Sequence, residues 1–167
     1  ARAFRPRLPS KVCKEKYGDC KDKANALVAM AGSIGIKGCM ALANRFSRTD
    51  PSIPAWQFNH AVAYFPELDK YPDGLWCDAT DGSAPFGSLP PGDIGREAFL
   101  LTAPTGRFAR IQLPGGFVNT MNVSADLSVD SSNAVQGMLR YEATGLSEYF
   151  LRQQFKHLSP LQQKHSF

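Results

Sequence analysis

The stretch EKYGDCKDKANALVAMAG (15–32) decides how the rest of the chain is read. Its residues from Asp22 to Ala31 are good helix formers, and Ala24, Leu27, Val28 and Ala31 fall at i, i+3, i+4 and i+7, which makes one apolar stripe. Four residues back along that stripe stands Cys20, so the spacing predicts a helix with an inward-facing thiol in its first turn. Gly18 and Asp19 supply the chain reversal and a cap, and Gly32 and Gly35 end the helix. A thiol is nucleophilic only as thiolate, and a helix N-terminus favours the thiolate through its dipole and unbonded N–H groups. The same N–H groups, that of Cys20 among them, can receive the oxyanion of a tetrahedral intermediate.

Three apolar segments come next: GCMALANRF (38–46), FNHAVAYF (58–65) and LWCDAT (75–80), each bounded by Pro, Gly or Asp. They read as strands. Pro72, Asp73 and Gly74 form a turn signal that joins the last two as an antiparallel hairpin. With Phe65 opposite Leu75, numbers across the ladder sum to 140, so Asp78 falls opposite Val62, one diagonal step from His60 on the same face. The stretch DGSAPFGSLPPGDIGRE (81–97) is too broken by Gly and Pro for regular structure and reads as an ordered loop over those strands. AFLLTA (98–103) and FARIQLP (108–114) read as further strands. From Asn119 the texture changes: Met121, Val123, Ala125, Leu127 and Val129 alternate strictly, and a second hairpin runs through AVQGMLRYEA (134–143). LSEYFLRQQFKHL (146–158) reads as a helix with Ser147 as its cap.

A cysteine nucleophile needs an imidazole to take and return a proton and a third group to orient that imidazole. Of the three histidines, His157 and His165 lie in the C-terminal segment, which leaves His60. Asp78 is an ionisable residue in an otherwise apolar strand, and a histidine partner would offset the cost of burying it. Cys13, Cys39 and Cys77 read as inert packing, Trp56 and Trp76 as core or groove wall, and Asp19, Lys21, Asp22 and Lys23 as a solvated helix start with Asp19 as cap. Tyr17 and Gln57 flank the motifs as weaker candidates for contacting substrate or an oxyanion. Cys20, Cys39, His60 and Cys77 supply four soft ligands, but the short-spaced pairs of structural zinc sites are absent, and no metal or cofactor is expected.

Tyr17-Gly-Asp-Cys-Lys-Asp-Lys23, Phe58-Asn-His60 and Trp76-Cys-Asp-Ala-Thr80 resemble, in this order, the three motifs of the bacterial transglutaminase-like superfamily. The resemblance runs from about Leu8 to Leu113 and takes in GCMALANR (38–45) and LPPGDIGREAFLL (89–101). It implies a papain-like α+β fold with the nucleophile helix packed on an antiparallel sheet, with Cys20 as nucleophile, His60 as general base and acid, and Asp78 as orienting carboxylate. It further implies attack on the carbonyl of a peptide or protein amide, with either water or an amine as acceptor. Flanking β domains in the same polypeptide and residence in the periplasm or outside the cell are common among such proteins. The alternative class is an inactive module that keeps the fold and binds a peptide or protein.

The resemblance and the composition shifts together predict three parts: residues 1–10 as the end of a linker, 11–116 as the catalytic core, and 117–167 as the start of a further β-rich unit, with the boundary at 115–118. The 167 residues are enough for one full core. Nineteen basic and 15 acidic residues are scattered along the chain, without the basic block of a nucleic-acid binder, and no apolar run is long enough to span a membrane.

Overall fold

In a computed structural model, which describes residues 4–164, the protein is α+β, with helices on antiparallel sheet. The chain divides into two compact units, one running to Gly82 and resuming over Phe86–Phe117, the other comprising Ser83–Pro85 and the residues from Val118 onward.

The first unit opens with α1 (Pro9–Glu15) and α2 (Cys20–Ser33), which pack on each other. Its sheet holds β1 (Cys39–Ala43), β2 (His60–Phe65), β3 (Leu75–Cys77), β4 (Glu97–Leu100) and β5 (Arg107–Arg110) in the order β3-β2-β1-β4-β5, every neighbour antiparallel. The strands are shorter than the apolar segments to which they correspond.

The β2–β3 register is the one its turn dictates: Phe65 faces Leu75, Tyr64 faces Trp76 and Ala63 faces Cys77. The Gly74 N–H donates to the Tyr71 carbonyl at 2.9 Å and closes the turn. Gly74 is required there twice over, by a φ of +81° and by the Tyr64 ring, whose hydroxyl oxygen a Cβ would meet at 2.5 Å.

Both faces of β2 are buried. Val62 and Tyr64 join Ala41, Ala43, Trp76, Ala98, Leu100 and Ile111 in the main core, closed by Leu89 and Ile94 from the loop over 81–97. Ala63, Phe65 and Leu75 form the opposite cluster, against which Leu27, Val28 and Ala31 of α2 pack, as their spacing predicts.

At three places the structure adds to or changes the local reading. The stretch 1–10, read as the end of a linker, takes in the start of α1 at Pro9, and Arg7 within it is bonded to Asp22. Asp22, read as part of a solvated helix start, is 2% exposed because Arg7 brings it a cation. Trp56 is exposed, whereas Trp76 is core.

The second unit holds β6 (Met121–Val129), β7 (Val135–Ala143), α3 (Gly145–Phe155) and α4 (Pro160–Lys164). β6 and β7 pair antiparallel from Met121–Ala143 to Val129–Val135. Thr144, not Ser147, occupies the cap position of α3, and the acceptor for the Ser147 N–H is Asn119 Oδ1 at 2.9 Å. Among the described residues no helix is long and apolar enough to cross a membrane.

Candidate active site

Cys20 is the first helical residue of α2, and three interactions fix it there. Asp19 caps the helix: its Oδ1 accepts from the Asp22 N–H, while Asp22 Oδ2 accepts from the Asp19 N–H, both at 3.2 Å. Arg7 then clamps Asp22, its backbone N–H donating to Oδ1 at 2.8 Å and its Nε to Oδ2 at 2.9 Å. Gly18 lets the turn close, since a Cβ there would lie 2.8 Å from Asp22 Cβ and 3.2 Å from Val12 Cγ1.

His60 opens β2 and is 7% exposed. Its Nε2 lies 3.0 Å from Asp78 Oδ2, and the same imidazole is the largest influence lowering the pKa of the Cys20 thiol. The backbone at Ala61 and Lys21 adds to the lowering of the Cys20 thiol pKa. Asp78 directly follows β3, its side chain fully buried, and its Oδ1 accepts from the Thr80 N–H at 2.8 Å and the Thr80 hydroxyl at 2.6 Å.

Two further residues complete the cluster, and sequence reasoning missed both. Arg45 lies just past β1; its Nε donates to Asp93 Oδ1 at 2.7 Å and its Nη2 to Asp93 Oδ2 at 2.9 Å. The same Nη2 bonds Asp78 Oδ2 and lies 3.0 Å from His60 Nε2. Asn59 Oδ1 accepts from the Arg45 N–H at 3.0 Å and, with Asn44, holds the backbone that aims this arginine.

These contacts set the charges. The bond to His60 comes first among the causes that pull the Cys20 thiol below its ordinary value, outweighing burial. Burial works to lower the His60 pKa, but the bonds to Asp78 and Cys20 prevail and push it up to about 9. Burial also acts on Asp78, yet His60 and Thr80 hold its carboxyl well below the usual range. Asp93 moves the other way: burial and the facing Asp78 raise it against the pull of Arg45. The Cys20 and His60 shifts both run toward proton transfer from sulfur to imidazole: Cys20 gives up its proton, and His60 holds one, more readily than the free groups do. Burial pushes Cys39 up and Cys77 up to about 11, the opposite direction from Cys20.

Thus Cys20, His60 and Asp78, separated by 40 and 18 positions in sequence, act on one another in a single cluster. Among the described residues, the one group of metal-ligating atoms within 4.8 Å of one another is His60, Asp78 and Asp93, without Cys39 or Cys77. Arg45 already supplies the positive charge there. Cys13 is exposed rather than packed, with its sulfur 4.0 Å from that of Met30, and the four cysteines are unbridged. Gln57 is committed to its own loop, donating to the Asp50 and Ile53 carbonyls and accepting from the Asp50 N–H, so it is not an oxyanion donor. Tyr17 is exposed beneath the Arg7 guanidinium, 5.4 Å from its ring centre. His165 lies outside the described residues.

No protein-family model matches the sequence, and no curated protein or solved structure matches it.

Proposed function

We propose that the protein is a cysteine-dependent acyltransferase or hydrolase of peptide and protein amides, with a transglutaminase-like, papain-like core. The observation that carries this reading is the convergence of three side chains: His60 is bonded to Asp78 and is also the group that most lowers the pKa of the Cys20 thiol. Cys20 Sγ attacks the amide carbonyl carbon, and the oxyanion is met by N–H groups at the head of α2. His60 gives its proton to the leaving amine as the C–N bond breaks, which leaves a thioester. Water or a primary amine then attacks the thioester carbonyl while His60 takes its proton, and Cys20 departs as thiolate beside the imidazolium, ready for the next substrate. Asp78 holds the imidazole in the tautomer that serves both steps.

The test is alkylation by iodoacetamide in a Cys13→Ser background, which removes the exposed thiol, with each remaining site read by peptide mass mapping. Cys20 is expected to react about a hundredfold faster than Cys39 or Cys77, at a rate that levels off below the ordinary thiol pKa, and His60→Ala should erase the advantage. Equal slow labelling of the three thiols would return the protein to the class of non-catalytic binding modules. Products from a peptide library incubated with and without a primary amine then separate cleavage, deamidation and amine incorporation by mass.

A further inference from the structure

Another set of charges lies at the same end of the sheet as His60. The register places His60 beside Ala43, Ala43 beside Ala98 and Ala98 beside Ala109, so one row crosses β2, β1, β4 and β5. Next to the last member of that row stands Arg110. With the loop after Arg45 and the residues after Asp93, it encloses a cavity of about 770 Å³.

Three guanidinium groups line this cavity, those of Arg48, Arg96 and Arg110, against two carboxylates, Asp50 and Glu97. Among the described residues none of the three arginines is in an ion pair, whereas Arg7, Arg45 and Arg152 all are. Arg96 donates through Nε to the Gly92 carbonyl at 3.1 Å, which fixes its stem without neutralising it. The Oδ1 of Asp50 is turned to its own loop, where it accepts from the Ser52 N–H at 2.9 Å and hydroxyl at 2.6 Å. Glu97 and Arg110 are cross-strand partners whose charged ends are not bridged. On the same wall Thr49 is 7% exposed, and its buried hydroxyl has no hydrogen-bond partner. Like charges gathered in a concavity repel, and an unmet buried hydroxyl costs free energy, so the arrangement improves once an acceptor arrives. Guanidinium forks match carboxylates in particular.

We propose that this cavity binds an acidic side chain of the substrate, so that the enzyme acts on acidic peptides; the inference rests on the Cys20 reading for what happens to the bound chain. Three strand spacings separate β2 from β5, about 14 Å, which an extended peptide covers in about four residues.

Binding is measured by fluorescence anisotropy on the full chain carrying Cys20→Ala, so that no turnover intervenes. The probes are fluorescein-labelled peptides of equal length rich in Glu, Gln or Lys. The Glu-rich peptide is expected to bind about tenfold or more tighter than the Gln-rich one, and Arg48→Gln with Arg110→Gln should remove about that factor. Lys11→Gln with Lys14→Gln, which takes the same charge from α1, should leave affinity unchanged. No preference for Glu over Gln, or an equal loss in the α1 control, overturns the proposal. A reactive Cys20 without this preference sinks the subsite alone, whereas acidic-peptide binding beside an unreactive Cys20 supports the subsite and sinks the enzyme reading.

Discussion

Arg45 is the residue on which the buried charges of the centre balance. The side chains of Asp78 and Asp93 are 0% and 1% exposed, and Arg45 bonds both. Without it two carboxylates would share a dry site, and the usual outcome of stripping a buried charge of its partner is a loss of ~3–5 kcal/mol. Arg45 is itself 26% exposed, so Arg45→Met is expected at the low end, about 3 kcal/mol, read as a fall in the urea midpoint. Adding Asp93→Asn should recover part of that loss by removing one of the two charges; no recovery would mean that Arg45 acts through packing instead. This cluster also marks how much of the site could be read in one dimension. His60 and Asp78 were legible because a two-residue periodicity and a recognisable turn fix which strand residues share a face, and Asp78 stood out as a charge in an apolar run. Arg45 and Asp93 were not, although both lie in stretches that the family resemblance takes in: they are 48 positions apart, one past a strand end and one in a Gly- and Pro-rich loop, where no periodicity assigns a partner.

The elements differ in what holds them. β1 and β2 lie inside the five-stranded sheet, and β2 is buried along its whole length between the main core and α2. β6 and β7 are the reverse case. Their register sets Val123 opposite Tyr141, Ala125 opposite Leu139 and Val129 opposite Val135, so one face of the hairpin is apolar throughout, and every residue of β6 is exposed. A lone two-stranded hairpin is marginal in water whatever its propensity. Amides of residues 121–129 and 135–143 are therefore expected to exchange with deuterium orders of magnitude faster than those of 60–65, measured by mass spectrometry at neutral pH. Comparable protection would mean that the apolar face is covered in solution. The alternation that makes this hairpin was plain in the sequence, because period-two patterning is a local property. The cap of α3 was not: its acceptor comes from Asn119, 28 residues before Ser147, and a cap supplied from so far away leaves no mark in the window where caps are sought.

At the scale of the whole chain, the chemistry and the buried core that supports it fall within one unit. Cys20, His60, Asp78, Arg45 and Asp93 belong to it, as do both hydrophobic clusters, whose members run no further than Leu113. The bonds that position the site are likewise internal to it, from Arg7 on Asp22 to Arg45 on Asp93. A core that closes on itself should fold without the residues beyond Phe117, since its stability derives from surface it already buries. A chain ending at Phe117 is thus expected to keep a cooperative urea transition and a Cys20 alkylation rate within about threefold of the full chain, a difference of about 0.7 kcal/mol or less at the reacting thiol. Circular dichroism and the labelling assay are read on the same sample, so that loss of fold and loss of reactivity are told apart. A truncated chain that stays folded but labels Cys20 no faster than Cys77 would mean that residues beyond Phe117 tune the thiol, and the site could no longer be ascribed to the first unit alone.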